Sequence, residues 1–225
     1  MKRILAAIIA AALLLSGCTS ASRPAESAPP TGTPSPSPTP VVTPTPEPEP
    51  ADDELVLVRD YIPGIFIDLK YATTDNFTGR VIYDSDEAYL RYGTVKKLLA
   101  AQNELSGRGL SLKIWDAYRP VSAQFKLWEI CPNPVYVSDP NNGYSKHSRA
   151  NTVDITLVTS TGESIPMPSG FDDFTSLADR DYSDVSAEAA ENARLLESIM
   201  VENGFVPYSG EWWHYSDSVS YDVYG

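Results

Sequence analysis

The stretch Ser145–Asp154 reads SKHSRANTVD and holds one of the two histidines in a chain of 225 residues. The other histidine, His214, lies in Glu211–Tyr215, which reads EWWHY. Each segment therefore combines one imidazole with one carboxylate. Because the chain has no further imidazole, this placement indicates that both histidines take part in chemistry rather than in packing alone.

Two imidazoles and one carboxylate match the donor set of a catalytic zinc site, which has three protein ligands and one open position. We hypothesise that His147, Asp154 and His214 bind one zinc ion and that Glu211 is the general base. The spacing alone leaves open that the histidines are structural. Positions three apart on a flat strand face opposite sides, so either the strand has a twist or bulge near Trp212–Trp213 or the metal lies off the strand edge.

The first 17 residues have the features of a bacterial lipoprotein signal peptide. Lys2 and Arg3 precede an apolar run at 4–15 that is too short for a membrane-spanning helix. The run ends in LSGC at Leu15–Cys18, which is typical of a lipobox. We expect cleavage before Cys18 and a lipid on its thiol. The alternative is a plain signal peptide with an incidental cysteine.

Residues 18–51 form a low-complexity segment rich in proline, serine and threonine. This composition cannot bury enough apolar surface to fold, and proline keeps the segment extended. It predicts a disordered, lipid-anchored tether that holds a folded domain, residues 52–225, outside the cell membrane in the cell-wall space. The formal net charge of −13 argues against a nucleic-acid partner.

The folded part of the chain mixes strand and helix patterns without a regular alternation of the two. This predicts an α+β fold, a single compact domain with a mostly antiparallel sheet flanked by helices. Segment 152–158 alternates apolar and polar residues, which places Asp154 on the polar face of a strand. Strands are predicted at 55–58, 65–71, 110–115, 152–158, 205–208 and 212–215, and helices at 89–105, after Pro120 with Phe125 and Trp128 as the apolar face, and from Ser186 to Glu202.

Five motifs that follow one another along the chain resemble a known enzyme family. Ser145–Asp154 is similar to the Ser-x-His-x-x-Gly-x-Ala-x-Asp signature of the zinc D,D-peptidases. The other motifs are Lys70–Thr73 with Asp75–Gly79, Trp115–Pro120, Phe171–Asp172 and Glu211–Tyr215. Within that family the chain resembles the D-alanyl-D-alanine dipeptidases of the vancomycin-resistance type. The resemblance implies one zinc ion and a D-Ala-D-Ala or related D,D-peptide substrate.

The resemblance also implies a role for each matching residue. His147, Asp154 and His214 would bind zinc, and Glu211 would be the base that later protonates the leaving amine. Arg119 would bind the substrate carbonyl and stabilise the oxyanion, a task that suits a fixed guanidinium.

Three further residues, Tyr71, Ser145 and Asp172, would surround the free ammonium group of the substrate. This role again comes from the resemblance. From the residues alone, a surface salt bridge is the preferred interpretation of Arg119, and a turn is the preferred interpretation of Asp172.

The chain departs from the family signature at Ala150, where the pattern has glycine, and at Thr152, where it has alanine. If the glycine position requires a positive φ, Ala150 costs on the order of 1 kcal/mol. Neither change removes a predicted ligand. The segment 131–144 is short for such a dipeptidase, and a shorter loop could open the pocket to longer peptides.

Three functions are consistent with these motifs. A D,D-dipeptidase in cell-wall peptide turnover or scavenging must enclose the ammonium group of its substrate. A D-alanyl-D-alanine carboxypeptidase acting on peptidoglycan stem peptides would use the same metal but must leave that side open. A non-catalytic wall-binding lipoprotein predicts a broken set of ligands, whereas all four metal and base positions are filled. The dipeptidase is therefore favoured.

Overall fold

The computed structural model describes residues 48–225. The predicted signal peptide and residues 18–47 of the predicted tether lie outside the described residues. Among residues 48–225, none of the helices has the length and apolar character needed to cross a bilayer.

The domain is built on a five-stranded sheet with the strand order β2-β4-β5-β7-β6. Only the β2–β4 pair is parallel, and β1 and β3 form a separate antiparallel pair. This confirms the predicted α+β fold with a mostly antiparallel sheet. The strands are β1 Leu55–Leu57, β2 Phe66–Ile67, β3 Tyr89–Arg91, β4 Leu110–Asp116, β5 Thr152–Thr159, β6 Phe205–Tyr208 and β7 Glu211–Asp217, and the helices are α1 Val58–Tyr61, α2 Tyr92–Ser106, α3 Val121–Ile130 and α4 Ala187–Glu202.

The central strand β5 has the predicted alternation of side chains. Val153, Ile155 and Leu157 lie in the hydrophobic core. The opposite face is also buried, with Asp154 only 4% exposed. The polar side chains on this face are therefore shielded from water, which strengthens their electrostatic interactions with one another.

Helix α4 begins and ends where the sequence predicted. The Ser186 side chain accepts a hydrogen bond from the Ala189 backbone N–H at 3.1 Å, which satisfies an otherwise unpaired donor of the first turn. The helix ends at Glu202, and Gly204 follows with a φ of +86°. Leu196, Ile199 and Met200 face the core as expected.

Three predictions about the elements are wrong in part. Tyr89–Arg91 is a strand paired with β1 rather than the first turn of a helix, and α2 begins at Tyr92. The predicted strand at 65–71 is paired only at Phe66–Ile67. It then enters a 3₁₀ turn at Lys70–Ala72, because the Tyr71 carbonyl accepts hydrogen bonds from Ile82 and Tyr83.

The third wrong prediction concerns the buried face of α3. The helix starts after Pro120, as expected. Its buried residues are Ala123, Gln124 and Leu127, whereas Phe125 is 40% exposed. A polar side chain, Gln124, replaces the expected aromatic one because this face contacts the buried guanidinium of Arg119.

The hairpin of β6 and β7 contains an irregularity of the kind that the spacing of Glu211 and His214 suggested. Pro207 pairs with Tyr215, but the next residue, Tyr208, pairs with Glu211 instead of His214. Strand β7 therefore has a three-residue excursion, Trp212–His214, relative to β6. The excursion changes the direction of successive side chains.

The segment 218–225 packs against the short 3₁₀ turn Lys146–Arg149. The Tyr224 backbone N–H donates to the Ser148 carbonyl at 2.9 Å, and the Arg149 guanidinium donates to the Tyr221 carbonyl at 2.7 Å. Residues about 75 positions apart in the sequence thus fix the turn that carries His147.

Ala150 adopts the left-handed conformation that the family signature fills with glycine. Its φ is 58° and its ψ is 29°, and its backbone N–H donates to the His147 carbonyl at 3.0 Å. We expect Ala150→Gly to raise the free energy of unfolding by about 1 kcal/mol, because glycine adopts this conformation without a Cβ clash. Denaturant unfolding monitored by circular dichroism would measure the change.

The matched control for Ala150→Gly is Ala193→Gly in the interior of α4, where φ is helical. This substitution should lower stability by about 1 kcal/mol. A loss of stability in both variants would contradict the interpretation of Ala150 as strained.

Candidate active site

The two histidines and Asp154 converge on one point. One potential ligand atom from each of His147, Asp154 and His214 lies within 4.8 Å of the other two. Asp154 on β5 pairs directly with His214 on β7, and Asp116 on β4 pairs with Asp154 on its other side. Adjacent strands therefore place these three side chains in one row across the sheet.

His147 enters this row from the 3₁₀ turn Lys146–Arg149. The Ser145 hydroxyl accepts a hydrogen bond from the His147 backbone N–H at 3.3 Å and caps the turn. The His147 ring donates from Nδ1 to the Ala117 carbonyl at 2.8 Å. Because a carbonyl can only accept, the proton lies on Nδ1, and the lone pair of Nε2 points toward Asp154, whose Oδ2 lies 3.3 Å away.

The polar atoms of this cluster lack the hydrogen bonds that their burial requires. Asp154 Oδ1 lies 3.0 Å from His214 Nδ1, yet the two are not aligned as a hydrogen bond, and Oδ1 has no other partner among residues 48–225. His214 Nε2 is also buried and without a partner there. Orphaned buried polar atoms are rare in proteins and often mark an absent ion. The residues therefore fit a single metal ion.

The charges of the cluster shift the pKa values of Asp154 and His147. Burial opposes ionisation of Asp154, but the two neighbouring imidazoles outweigh it and hold the Asp154 pKa well below its usual range. Burial lowers the pKa of His147, but the carboxylates of Asp154 and Asp116 outweigh this effect and raise it. The charged forms of His147 and Asp154 therefore stabilise one another. Protons would compete with a metal for these side chains.

Glu211 lies beside this cluster, as the β7 excursion allows. Its Oε2 is 3.3 Å from His214 Nδ1, and its side chain is 34% exposed. Burial, followed by the negative charge of Asp154, raises the Glu211 pKa, while both imidazoles and Arg119 oppose the shift. A carboxylate with a raised pKa next to a metal cluster is suited to accept and return a proton.

Arg119 is held in a buried network rather than in a surface salt bridge. Its Nε and Nη2 donate to Asp116 Oδ2 at 3.1 and 2.6 Å, and its Nη1 donates to Gln124 Oε1 at 2.9 Å. Asp116 also accepts from Tyr83 and from the Ala117 backbone. Of the five N–H groups of a guanidinium, two are left without a partner in the described part of the chain.

Asp172 and Tyr71 form a hydrogen-bonded pair close to Arg119. The Tyr71 hydroxyl donates to Asp172 Oδ2 at 2.7 Å, and the Arg119 guanidinium carbon lies 5.0 Å from the Tyr71 ring centroid. Asp172 has a φ of 53°, an uncommon conformation for a residue other than glycine. Burial raises the Asp172 pKa to about 7, assisted by the charges of Asp154 and Glu211 and opposed by Tyr71 and Arg119.

A cleft of about 270 Å³ opens beside the cluster and is lined by Ser145, Lys146, Tyr208, Glu211 and His214. The loop 131–144 forms the opposite wall through Pro134–Tyr136 and Ser138. Ser145 thus contributes to the cleft while its hydroxyl caps the His147 turn. The exposed Tyr136 ring packs 4.5 Å from Phe174, so this loop contacts the loop that carries Asp172.

Sequence reasoning assigned no role to several residues that support this site. Asp116 lies inside the Trp115–Pro120 motif, and its position in that motif was a usable signal. Gln124 is a buried polar residue on α3, which its spacing from Arg119 could have suggested. Arg180, which contacts the carbonyl of His214, lies between two aspartates in the sequence and gave no signal.

Comparisons with known proteins agree on one family. The sequence profile of peptidase family M15, described as D-ala-D-ala dipeptidase, matches residues 51–221. The chain is 40% identical to the D-alanyl-D-alanine dipeptidase of Escherichia coli K12, over 72% of this chain and 83% of that protein. It is 36% identical to the enzyme of that name from Enterococcus faecium, over 69% and 87%, and 37% identical to that from Streptomyces coelicolor, over 72% and 91%.

The raised pKa of Asp172 predicts a specific pH dependence of stability. The folded protein binds this proton up to a pKa of about 7, whereas the ordinary value is 3.8. Stability is therefore lost as pH rises between these two values. Between pH 4 and pH 8, the free energy of unfolding of the metal-free wild type should fall further than that of metal-free Asp172→Asn. The difference should be about 1.4 kcal/mol for each unit of the pKa shift. Denaturant titrations at each pH would measure it.

The matched control is Asp84→Asn, because the Asp84 side chain is 95% exposed. This substitution should leave the pH dependence as it is in wild type. If Asp172→Asn loses as much stability as wild type over the same range, the Asp172 carboxyl is not the group that titrates near neutral pH.

Proposed function

The chain belongs to peptidase family M15, the D-Ala-D-Ala dipeptidases, and we propose that it hydrolyses the peptide bond of D-Ala-D-Ala. It is a metallopeptidase. The observation that carries the proposal is the convergence of His147, Asp154 and His214 with Glu211 beside them and the partly buried Asp172 nearby. A metal-binding cluster with an adjacent base supports peptide hydrolysis, and a partly buried carboxylate supports recognition of a small cationic group.

We infer that zinc is the metal. Two imidazoles and one carboxylate are the donors of many catalytic zinc sites, which keep one position open. Calcium and magnesium prefer oxygen ligands throughout, so two nitrogens disfavour them. When bound, the metal supplies Lewis-acid chemistry, which acidifies water and polarises a carbonyl group.

Two residues beside the metal-binding cluster have separate tasks: Glu211 transfers protons, and Arg119 stabilises negative charge. Glu211 accepts the proton of the attacking water, and later gives it to the nitrogen of the leaving D-alanine. The hydroxyl thus ends on the carbonyl carbon, and the C–N bond breaks. Arg119 has two N–H groups to donate to the oxygen that becomes negatively charged, and Asp116 and Gln124 hold it in place.

Asp172 and Tyr71 support a dipeptide substrate rather than a longer peptide. A partly buried carboxylate without a cationic partner is unfavourable, and the free ammonium group of D-Ala-D-Ala would supply that partner. An acylated or extended peptide has no such charge. The curated relatives with 35–40% identity are all named D-alanyl-D-alanine dipeptidases, which also supports the dipeptidase over the carboxypeptidase.

We propose that the enzyme acts outside the cell membrane, held by a lipid on Cys18. The support is the sequence of residues 1–18, with its basic start, apolar run and LSGC motif. The proline-rich segment 18–51 would act as the spacer. A dipeptidase in the wall space meets peptides released from the wall, so its role would be wall-peptide turnover or scavenging of the dipeptide.

The substrate preference can be tested with two peptides that differ only at the amino end. We expect zinc-loaded protein to cleave D-Ala-D-Ala with a kcat/KM about 10²–10³-fold above that for N-acetyl-D-Ala-D-Ala, because the acyl group leaves Asp172 without a partner. Release of D-alanine would be measured for each. The control is Glu211→Gln, which keeps all three predicted ligands and should bind zinc but lose activity. Preference for the acetylated peptide would instead identify a carboxypeptidase.

The anchor can be tested by expressing the full chain in a bacterium that processes lipoproteins. We expect wild type in the membrane fraction and Cys18→Ala outside it, because the substitution removes the thiol that carries the lipid. Immunoblots of membrane and soluble fractions, with and without detergent, would show the difference. An identical distribution of the two proteins would rule out the lipid anchor.

A further inference from the structure

The three-residue excursion of β7 requires support that the β6–β7 ladder does not give. If the register of Pro207 with Tyr215 continued, Tyr208 would lie opposite His214, but Tyr208 pairs with Glu211. The backbones of Tyr208 and His214 are therefore not paired with one another. They also flank the two side chains on which the proposed chemistry depends, Glu211 and His214.

One guanidinium joins these two carbonyls. Arg180 donates from Nε to the Tyr208 carbonyl at 2.7 Å and from Nη2 to the His214 carbonyl at 3.1 Å. It also donates from Nη1 to Tyr215 Oη at 3.1 Å, and its carbon lies 4.6 Å from the Tyr215 ring centroid. Four contacts of Arg180 are thus made with β6 and β7, the two strands on either side of the register shift.

The remaining contact of Arg180 fixes the guanidinium from the helix side. Nη1 donates to Glu197 on α4 at 3.0 Å, and the Arg180 side chain is only 10% exposed. A planar guanidinium that already has several partners loses little conformational entropy with each further hydrogen bond. Arg180 is therefore a rigid link between α4 and the two carbonyls.

The loop that carries Arg180 has a second contact with the excursion. The Trp212 indole N–H donates to Ser169 Oγ at 2.9 Å. Asp172 lies between Ser169 and Arg180 on this loop, and Tyr182 just beyond has a φ of 56°. The two non-glycine residues with positive φ in this segment indicate that the loop is held in a strained conformation by its contacts.

We propose that Arg180 is a positioning residue for the metal centre, which holds His214 and Glu211 in their working arrangement by replacing the strand pairing lost at the excursion. It acts through the backbone carbonyls of Tyr208 and His214 and touches neither substrate nor metal. The proposal rests on the proposed metal-dependent function, but it is independent of which peptide is cleaved.

The test measures zinc affinity of the full-length protein by competition with a chromophoric chelator. We expect Arg180→Met to weaken zinc binding by about 10- to 100-fold, the usual cost of losing a group that orients a ligand. Arg180→Lys keeps the charge and an aliphatic stem, but one ammonium cannot reach both carbonyls as a fork does. It should also weaken zinc binding, and it decides the question if Arg180→Met does not fold.

The matched control is Lys97→Met, which removes another ion pair to β7. Lys97 pairs with the buried Asp217 at the regular end of the strand. This variant should lose thermal stability while its zinc affinity stays within about twofold of wild type, because distant sites act independently. Unchanged zinc affinity in Arg180→Lys, or an equal loss in Lys97→Met, would overturn the proposal. Absence of zinc binding by wild type would instead refute the proposed function.

Discussion

The site depends on the mismatch between β6 and β7. A ladder with one register would place Glu211 and His214 on opposite sides of β7. The excursion at Trp212–His214 brings their side chains within 3.3 Å of each other. On its other side β7 remains in register with β5 and keeps His214 opposite Asp154. The same strand therefore places the predicted ligand His214 through regular pairing with β5 and the predicted base Glu211 through irregular pairing with β6.

This arrangement concentrates negative charge around the cluster, where Asp116 and Asp154 are buried and Asp172 and Glu211 are partly exposed. Asp116, Asp154, Asp172 and Glu211 lie together, and Arg119 with the two imidazoles offsets only part of their charge. Arg119 is committed mainly to Asp116, which leaves Asp154 with the histidines and Asp172 with a neutral phenol. An uncompensated buried carboxylate is costly. The protein thus has two places where negative charge is not fully neutralised. The one at Asp154 suits a divalent metal, and the one at Asp172 suits a small ammonium group.

The scarcity of histidine in this chain led the sequence analysis to His147 and His214, which the structure brings together with Asp154. The family motifs could be recognised because each is local in the sequence. The sequence also predicted α4, and it gave an irregularity in β7 as one of two ways to bring Glu211 and His214 to one site, since caps and spacing are local features. It failed where distant residues decide the outcome. The strand at 65–71 is cut short by hydrogen bonds from Ile82 and Tyr83, and the role of Arg180 depends on carbonyls about 30 residues away.

The packing of segment 218–225 on the Lys146–Arg149 turn sets an order of events during folding. The turn that presents His147 is fastened by the hydrogen bond between the Ser148 and Tyr224 backbones, so its final shape depends on the docking of segment 218–225. The three predicted ligands also come from separate strands and turns. We therefore expect metal binding to follow the docking of these elements, so that a bound ion would report a completed fold.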